Sequence, residues 1–85
     1  MPYIKEEYRK EYDRLIKPIV VQVECVGELN YVITSMILKY LQAYNISYGE
    51  LNEMIGLLEA VKLEIYRRMV APYEDKKCEE NGDVF

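Results

Sequence analysis

Glu28-Leu29-Asn30-Tyr31-Val32-Ile33-Thr34-Ser35-Met36-Ile37-Leu38-Lys39-Tyr40-Leu41-Gln42-Ala43-Tyr44 is the stretch that decides the fold. Leu29, Val32, Ile33, Met36, Ile37, Tyr40, Leu41 and Tyr44 recur at spacings of three and four, which draws one wide apolar stripe down a helix. The spacing predicts a central helix that stops near Asn45, a residue type that tolerates left-handed backbone.

Upstream, Tyr8, Tyr12, Leu15, Ile16, Ile19, Val20 and Val23 keep the same helical spacing from Lys5 to about Cys25. Glu6 with Lys10 and Asp13 with Lys17 supply acid-before-base pairs four residues apart. After Pro18, Ile19 to Val26 is rich in β-branched residues and partly alternates, so it also reads as a strand. The only other strand candidate is Asp83-Val84-Phe85, so the expectation is a kinked or restarted helix.

Downstream, Ser47-Tyr48-Gly49-Glu50 has the form of a capping box, in which the Ser47 hydroxyl accepts from the Glu50 amide and the Glu50 carboxylate reaches back. Leu51, Met54, Ile55, Leu58, Val61, Ile65 and Met69 form the stripe that follows, with Arg67 and Arg68 placed for the negative end of the helix dipole. Pro72 is expected to end this helix at Ala71, which leaves 1–73 as one helical domain and 74–85 as a charged tail. The expected fold is therefore all-α, with three helices, the second and third forming an antiparallel hairpin.

The helix starts echo one another: Gly27-Glu28-Leu29-Asn30 recurs as Gly49-Glu50-Leu51-Asn52. A duplicated unit would produce this. Shared helix-start chemistry, an acid in the first turn followed by an apolar residue, is the favoured explanation, since two copies are too few for a repeat array.

At 85 residues there is room for one small domain with a thin core. Hydrophobic residues at 51% and charged residues at 31% describe a chain that folds. The net charge of -4 repels a phosphate backbone, and Lys76-Lys77 and Arg67-Arg68 are too closely neighboured by acids to form a basic groove, so no nucleic-acid partner is expected. Histidine is absent, which removes the usual proton shuttle, the usual zinc ligand and every histidine-activated nucleophile. Cys25 and Cys78 have no metal-ligand spacing and are expected to serve as small apolar filler, although a disulfide between them stays open. No cofactor is indicated. With no segment of signal-peptide or membrane-spanning character, the expected setting is a reducing cytoplasm with no membrane partner.

Function must then lie in surfaces. Tyr31 and Leu38 turn away from the stripe of the second helix, and Gly56, Ala60 and Leu63 turn away from that of the third, with Gly56 and Ala60 one turn apart where another helix can approach closely. A second apolar face argues for a homo-oligomer, most simply a symmetric dimer. Nine tyrosines against one Phe suit surfaces apolar at one end and wet at the other; Tyr40 and Tyr44 are assigned to the core and Tyr31 to the interface. Lys62 falls within the third stripe with Glu59 and Tyr66 at its edge, and a Lys among apolar groups can act as an amine nucleophile. Snorkelling or pairing with Glu59 is the commoner fate. Val84 and Phe85 can anchor the tail in a protein partner's groove.

The alternative is an enzyme. Glu50-x-x-Glu53 and Glu80-x-x-Asp83 resemble the paired acids that bind magnesium in all-α nucleotide pyrophosphohydrolases, although Asn81-Gly82 interrupts the second pair. The wider resemblance is of another kind. Gly27-Glu28-Leu29-Asn30-Tyr31-Val32-Ile33-Thr34, Tyr66-Arg67-Arg68-Met69-Val70-Ala71-Pro72-Tyr73-Glu74-Asp75-Lys76-Lys77, Glu80-Asn81-Gly82-Asp83-Val84 and Met1-Pro2-Tyr3-Ile4-Lys5 are similar to strings in a family of small uncharacterised proteins of prokaryotes and their viruses. That resemblance covers most of the chain and implies no activity, only that the last residues belong to the protein.

Overall fold

The computed structural model describes residues 1–85, and every regular element in it is helical. Helix α1 is Glu6–Gln22, α2 is Val26–Gln42 and α3 is Tyr48–Ile65; a π-helical turn, Tyr66–Val70, leads without a break into α4, Ala71–Asn81. The chain divides into two units, Pro2–Leu51 and Asn52–Phe85, the second also taking in Met1.

Ile19 to Gln22 is helix, not strand. Helix α1 runs through Pro18 to Gln22, and the Val23 N–H closes it on the Ile19 carbonyl at 3.0 Å. Val23 and Glu24 are extended or irregular, and α2 begins at Val26 with Cys25 as its cap. The ion pair in α1 joins Glu11 to Arg14, three residues apart, in place of the expected Glu6–Lys10 and Asp13–Lys17 pairs.

The two helix starts share one device. In α2 the Glu28 carboxylate accepts the Glu24 N–H at 2.9 Å, and in α3 the Glu50 carboxylate accepts the Ser47 N–H at 3.1 Å. Each acid is the third residue of its helix, so the shared Glu of the echo serves backward capping of N–H groups at the helix start. The glycines are not sterically required, because a Cβ at Gly27 or Gly49 would meet its nearest neighbour at 3.8 or 3.6 Å. The expected capping box forms by half: the Ser47 hydroxyl bonds to the Glu50 carboxylate and not to its amide.

Helix α2 ends at Gln42, before Asn45, and no residue there takes left-handed backbone. Ala43 and Tyr44 instead donate to the carbonyls of Tyr40 and Leu41, a tightened last turn that satisfies two terminal acceptors.

Pro72 does not end the third helix. The proline ring removes one N–H and crowds the carbonyl four residues back, which disfavours it inside a helix, although α1 carries Pro18 within its α-helical run. Before Pro72 the turn is wound wider: the Ala71 N–H donates to the Tyr66 carbonyl five residues back, and Pro72 falls in the first turn of α4. Most of 74–85, expected as a tail, is accordingly helix, with the Lys77 ammonium 5.7 Å from the Tyr73 ring centre and 3.2 Å from Glu80. Gly82, at φ 93°, stops it, a conformation that suits glycine alone.

Leu41 is the one buried residue. The expected core stripes are therefore not covered: Leu29, Ile33, Met36, Leu51, Ile55, Leu58, Val61, Ile65 and Met69 are all exposed. Tyr40 and Tyr44, expected in the core, lie more than half exposed with their rings 5.1 Å apart. Both cysteines are free and exposed, so neither is filler.

Candidate functional site

Within Pro2–Leu51, α1 and α2 do not pack along their lengths, and the notch between the end of one and the face of the other is a groove of about 460 Å³. Ile19 and Gln22 of α1, with Val23 just beyond it, form one wall. The other wall is a single face of α2, made by Glu28, Tyr31, Val32, Ser35, Met36 and Lys39. Its middle is largely apolar and carries two hydroxyls, those of Tyr31 and Ser35. Its two ends carry opposite charges, and Glu28 and Lys39 are the only charged residues that α2 has.

This face straddles the boundary drawn from the sequence. Tyr31, assigned to the interface, lines the groove together with Val32 and Met36, which had been assigned to the core. Tyr31 is 73% exposed, the most open of the large apolar side chains on that wall. Leu38 lies outside the groove and is exposed. On α3, Leu63 and Ala60 are exposed, and a Cβ at Gly56 would meet no atom within 4 Å. Gly56 thus leaves an open surface.

The polar cluster around Lys62 comes together in part. The Lys62 ammonium pairs with Glu59 at 2.9 Å, and at 68% side-chain exposure it is not held among apolar groups as amine chemistry would need. Tyr66 looks elsewhere: its hydroxyl donates to the Glu74 carboxylate at 3.3 Å, across the π turn. The negative charge of Glu74 opposes a second negative charge on the phenol and holds the Tyr66 pKa above the ordinary tyrosine value.

The acids of the enzymatic alternative are occupied or separated. Glu50 caps α3, and its hydrogen bonds from Ser47 stabilise the carboxylate and lower its pKa. Glu80 is in α4 while Asp83 lies beyond Gly82 and accepts the Phe85 N–H at 2.8 Å, so the two do not share a helical face. Nowhere do three acidic or thiol side chains converge on a point where a metal ion would sit. No helix is long and apolar enough to cross a membrane.

A family model matches residues 1–84 of the chain. The chain belongs to the family described as Domain of unknown function (DUF6899). The DUF6899 match reaches past α4 and takes in Gly82 and Val84. No curated protein and no solved structure matches this DUF6899 chain.

The groove was missed in the sequence, though one signal pointed to it. Glu28, Tyr31, Val32, Ser35, Met36 and Lys39 repeat at steps of three, one, three, one and three, which is a single helix face holding both charges of α2. Weighting apolar residues alone hides such a face, because its ends are charged and its middle contains a serine.

Proposed function

We propose that this protein works by assembly: it is a small, non-catalytic interaction or accessory protein whose helices are completed by further copies of itself, a dimer being the simplest case. One observation carries the reading, the burial of Leu41 alone. A large aliphatic side chain contributes about 1.5–3 kcal/mol when it is fully buried and little when it is left in water. Neither unit covers its apolar side chains by itself. Asn52–Phe85 is a single run of helix ending in a short extension, and one helix cannot cover its own apolar side chains. In Pro2–Leu51 two helices leave most of their apolar stripes open.

The side chains proposed for the contacts are Tyr31, Leu38 and Leu63, with Gly56 and Ala60 allowing close approach of a neighbouring helix. Open space around Gly56 and the exposure of the other four support that assignment. Two free, exposed thiols suit a reducing compartment, and we place the protein in the cytoplasm on that ground.

Thermal unfolding of the whole chain over a hundredfold range of concentration tests the reading. If folding and association are one process, the melting temperature rises with concentration. A midpoint that stays fixed while helical circular dichroism is intact contradicts it.

A further inference from the structure

We infer that the groove of Pro2–Leu51 is filled by the same element of a second copy, α2 packing antiparallel on the partner's α2 about a two-fold axis that passes between Ile33 and Thr34. This rests on the homo-oligomer reading and adds to it the surface, the direction and the register.

The α2 wall of the groove is the argument. Its six residues lie along one helix face, and the pattern reads the same in both directions, so an antiparallel copy sets each member opposite another member. Chemistry makes the match more than geometric. Glu28 and Lys39 are equidistant from the axis, so each Glu28 faces the partner's Lys39, and two ion pairs close the two ends of the seam. Tyr31 falls opposite the partner's Met36, a ring against a thioether, a favourable contact. Val32 falls opposite the partner's Ser35 at the centre, where a small side chain lets two helices come close. A parallel arrangement in the same seam would set Glu28 against Glu28 and Lys39 against Lys39, which repel. The α1 wall, Ile19 and Val23, then covers the flank of the incoming helix.

An acid at the start and a base at the end of α2 also suit the helix dipole. That effect acts within one chain. It gives no reason for both charges to lie on the groove face, and it predicts a different outcome when the charges are exchanged.

The test uses Glu28→Lys, Lys39→Glu, their equimolar mixture and the double variant E28K/K39E, all in the whole chain, with sedimentation velocity for association and circular dichroism for helix content. Each single variant places like charges together at both ends of the seam and is expected to associate about tenfold or more weakly than the wild type. The mixture restores attraction at both ends and is expected to associate as heterodimers at close to wild-type strength. The double variant is expected to recover as well, although both its charges oppose the dipole. Because Glu28→Lys also removes the carboxylate that caps α2, Lys39→Glu, which keeps the cap, serves as the cleaner single variant. Single variants that associate as the wild type does, or a mixture no tighter than its components, overturn this seam while leaving the homo-oligomer reading in place. A double variant weaker than either single does the same and assigns the charges to the dipole. A wild-type chain that is monomeric throughout ends both.

Discussion

The Glu50 carboxylate accepts the Ser47 N–H at 3.1 Å, bridging the residue before α3 to its first turn. The Ser47 hydroxyl donates to the same carboxylate and is the main influence on it; with the backbone N–H bonds it favours the charged form, which lowers the Glu50 pKa. A carboxyl with a lowered folded-state pKa stabilises the fold above its unfolded pKa, and that contribution disappears as pH falls through the lowered folded value. Ser47→Ala is expected to move the Glu50 pKa back up toward the ordinary glutamate range, as read by carboxyl carbon shifts in an NMR titration. An unchanged Glu50 titration in Ser47→Ala would show that the hydroxyl plays no part.

Tyr66 titrates under the opposite influence. The Glu74 charge and hydrogen bond raise its pKa, so the neutral phenol is favoured in the fold. The stabilising contribution is complete below the unfolded tyrosine pKa and is lost as pH rises through the raised folded value. Glu74→Gln is expected to lower the Tyr66 pKa, which ring-carbon shifts would resolve. No movement in Tyr66 would contradict the pairing across the π turn.

Pro72 and the π turn are proposed as cause and effect. A proline costs about 3 kcal/mol against alanine inside a regular helix. The widened turn and the position of Pro72 in the first turn of α4 remove part of that cost. Pro72→Ala is expected to raise the melting temperature, by less than the full 3 kcal/mol would give, and to return the Ala71 amide bond to the carbonyl of Arg67. Scalar couplings across the hydrogen bond would report the change. A persisting bond from Ala71 to Tyr66 would show that the π turn has another cause.

How much could be read beforehand differs from one feature to the next. The helical periods of α1, α2 and α3 were legible, as was the capping role of Glu50, because both depend on neighbours three or four residues away. The course of the chain past Pro72 was not. Proline is read as a stop because it removes an N–H and crowds the preceding turn, yet α1 runs through Pro18, and before Pro72 a five-residue hydrogen bond relieves the crowding without leaving any mark in the residues themselves. The exposed stripes were also unreadable: periodicity shows which residues share a face and says nothing about what covers it. The expectation that Leu29, Ile33 and Met36 are covered within the chain failed for that reason.

Gly56 offers a test of the α3 contact by a change that also favours the helix itself. Since a Cβ there meets nothing within 4 Å, Gly56→Leu is expected to keep or raise helix content while weakening association severalfold, by keeping the neighbouring helix at a distance. Gel filtration at graded concentrations would show the shift. Association at wild-type strength would remove Gly56 from the contact.

Sedimentation equilibrium of the whole chain at tens of micromolar bears most directly on whether other copies cover the helices. A mass of at least twice 10.1 kDa, with helical circular dichroism retained, is the expected result. A single species of 10.1 kDa that keeps the same helix content would contradict it, because the apolar faces of α2 and α3 would then stand uncovered in water.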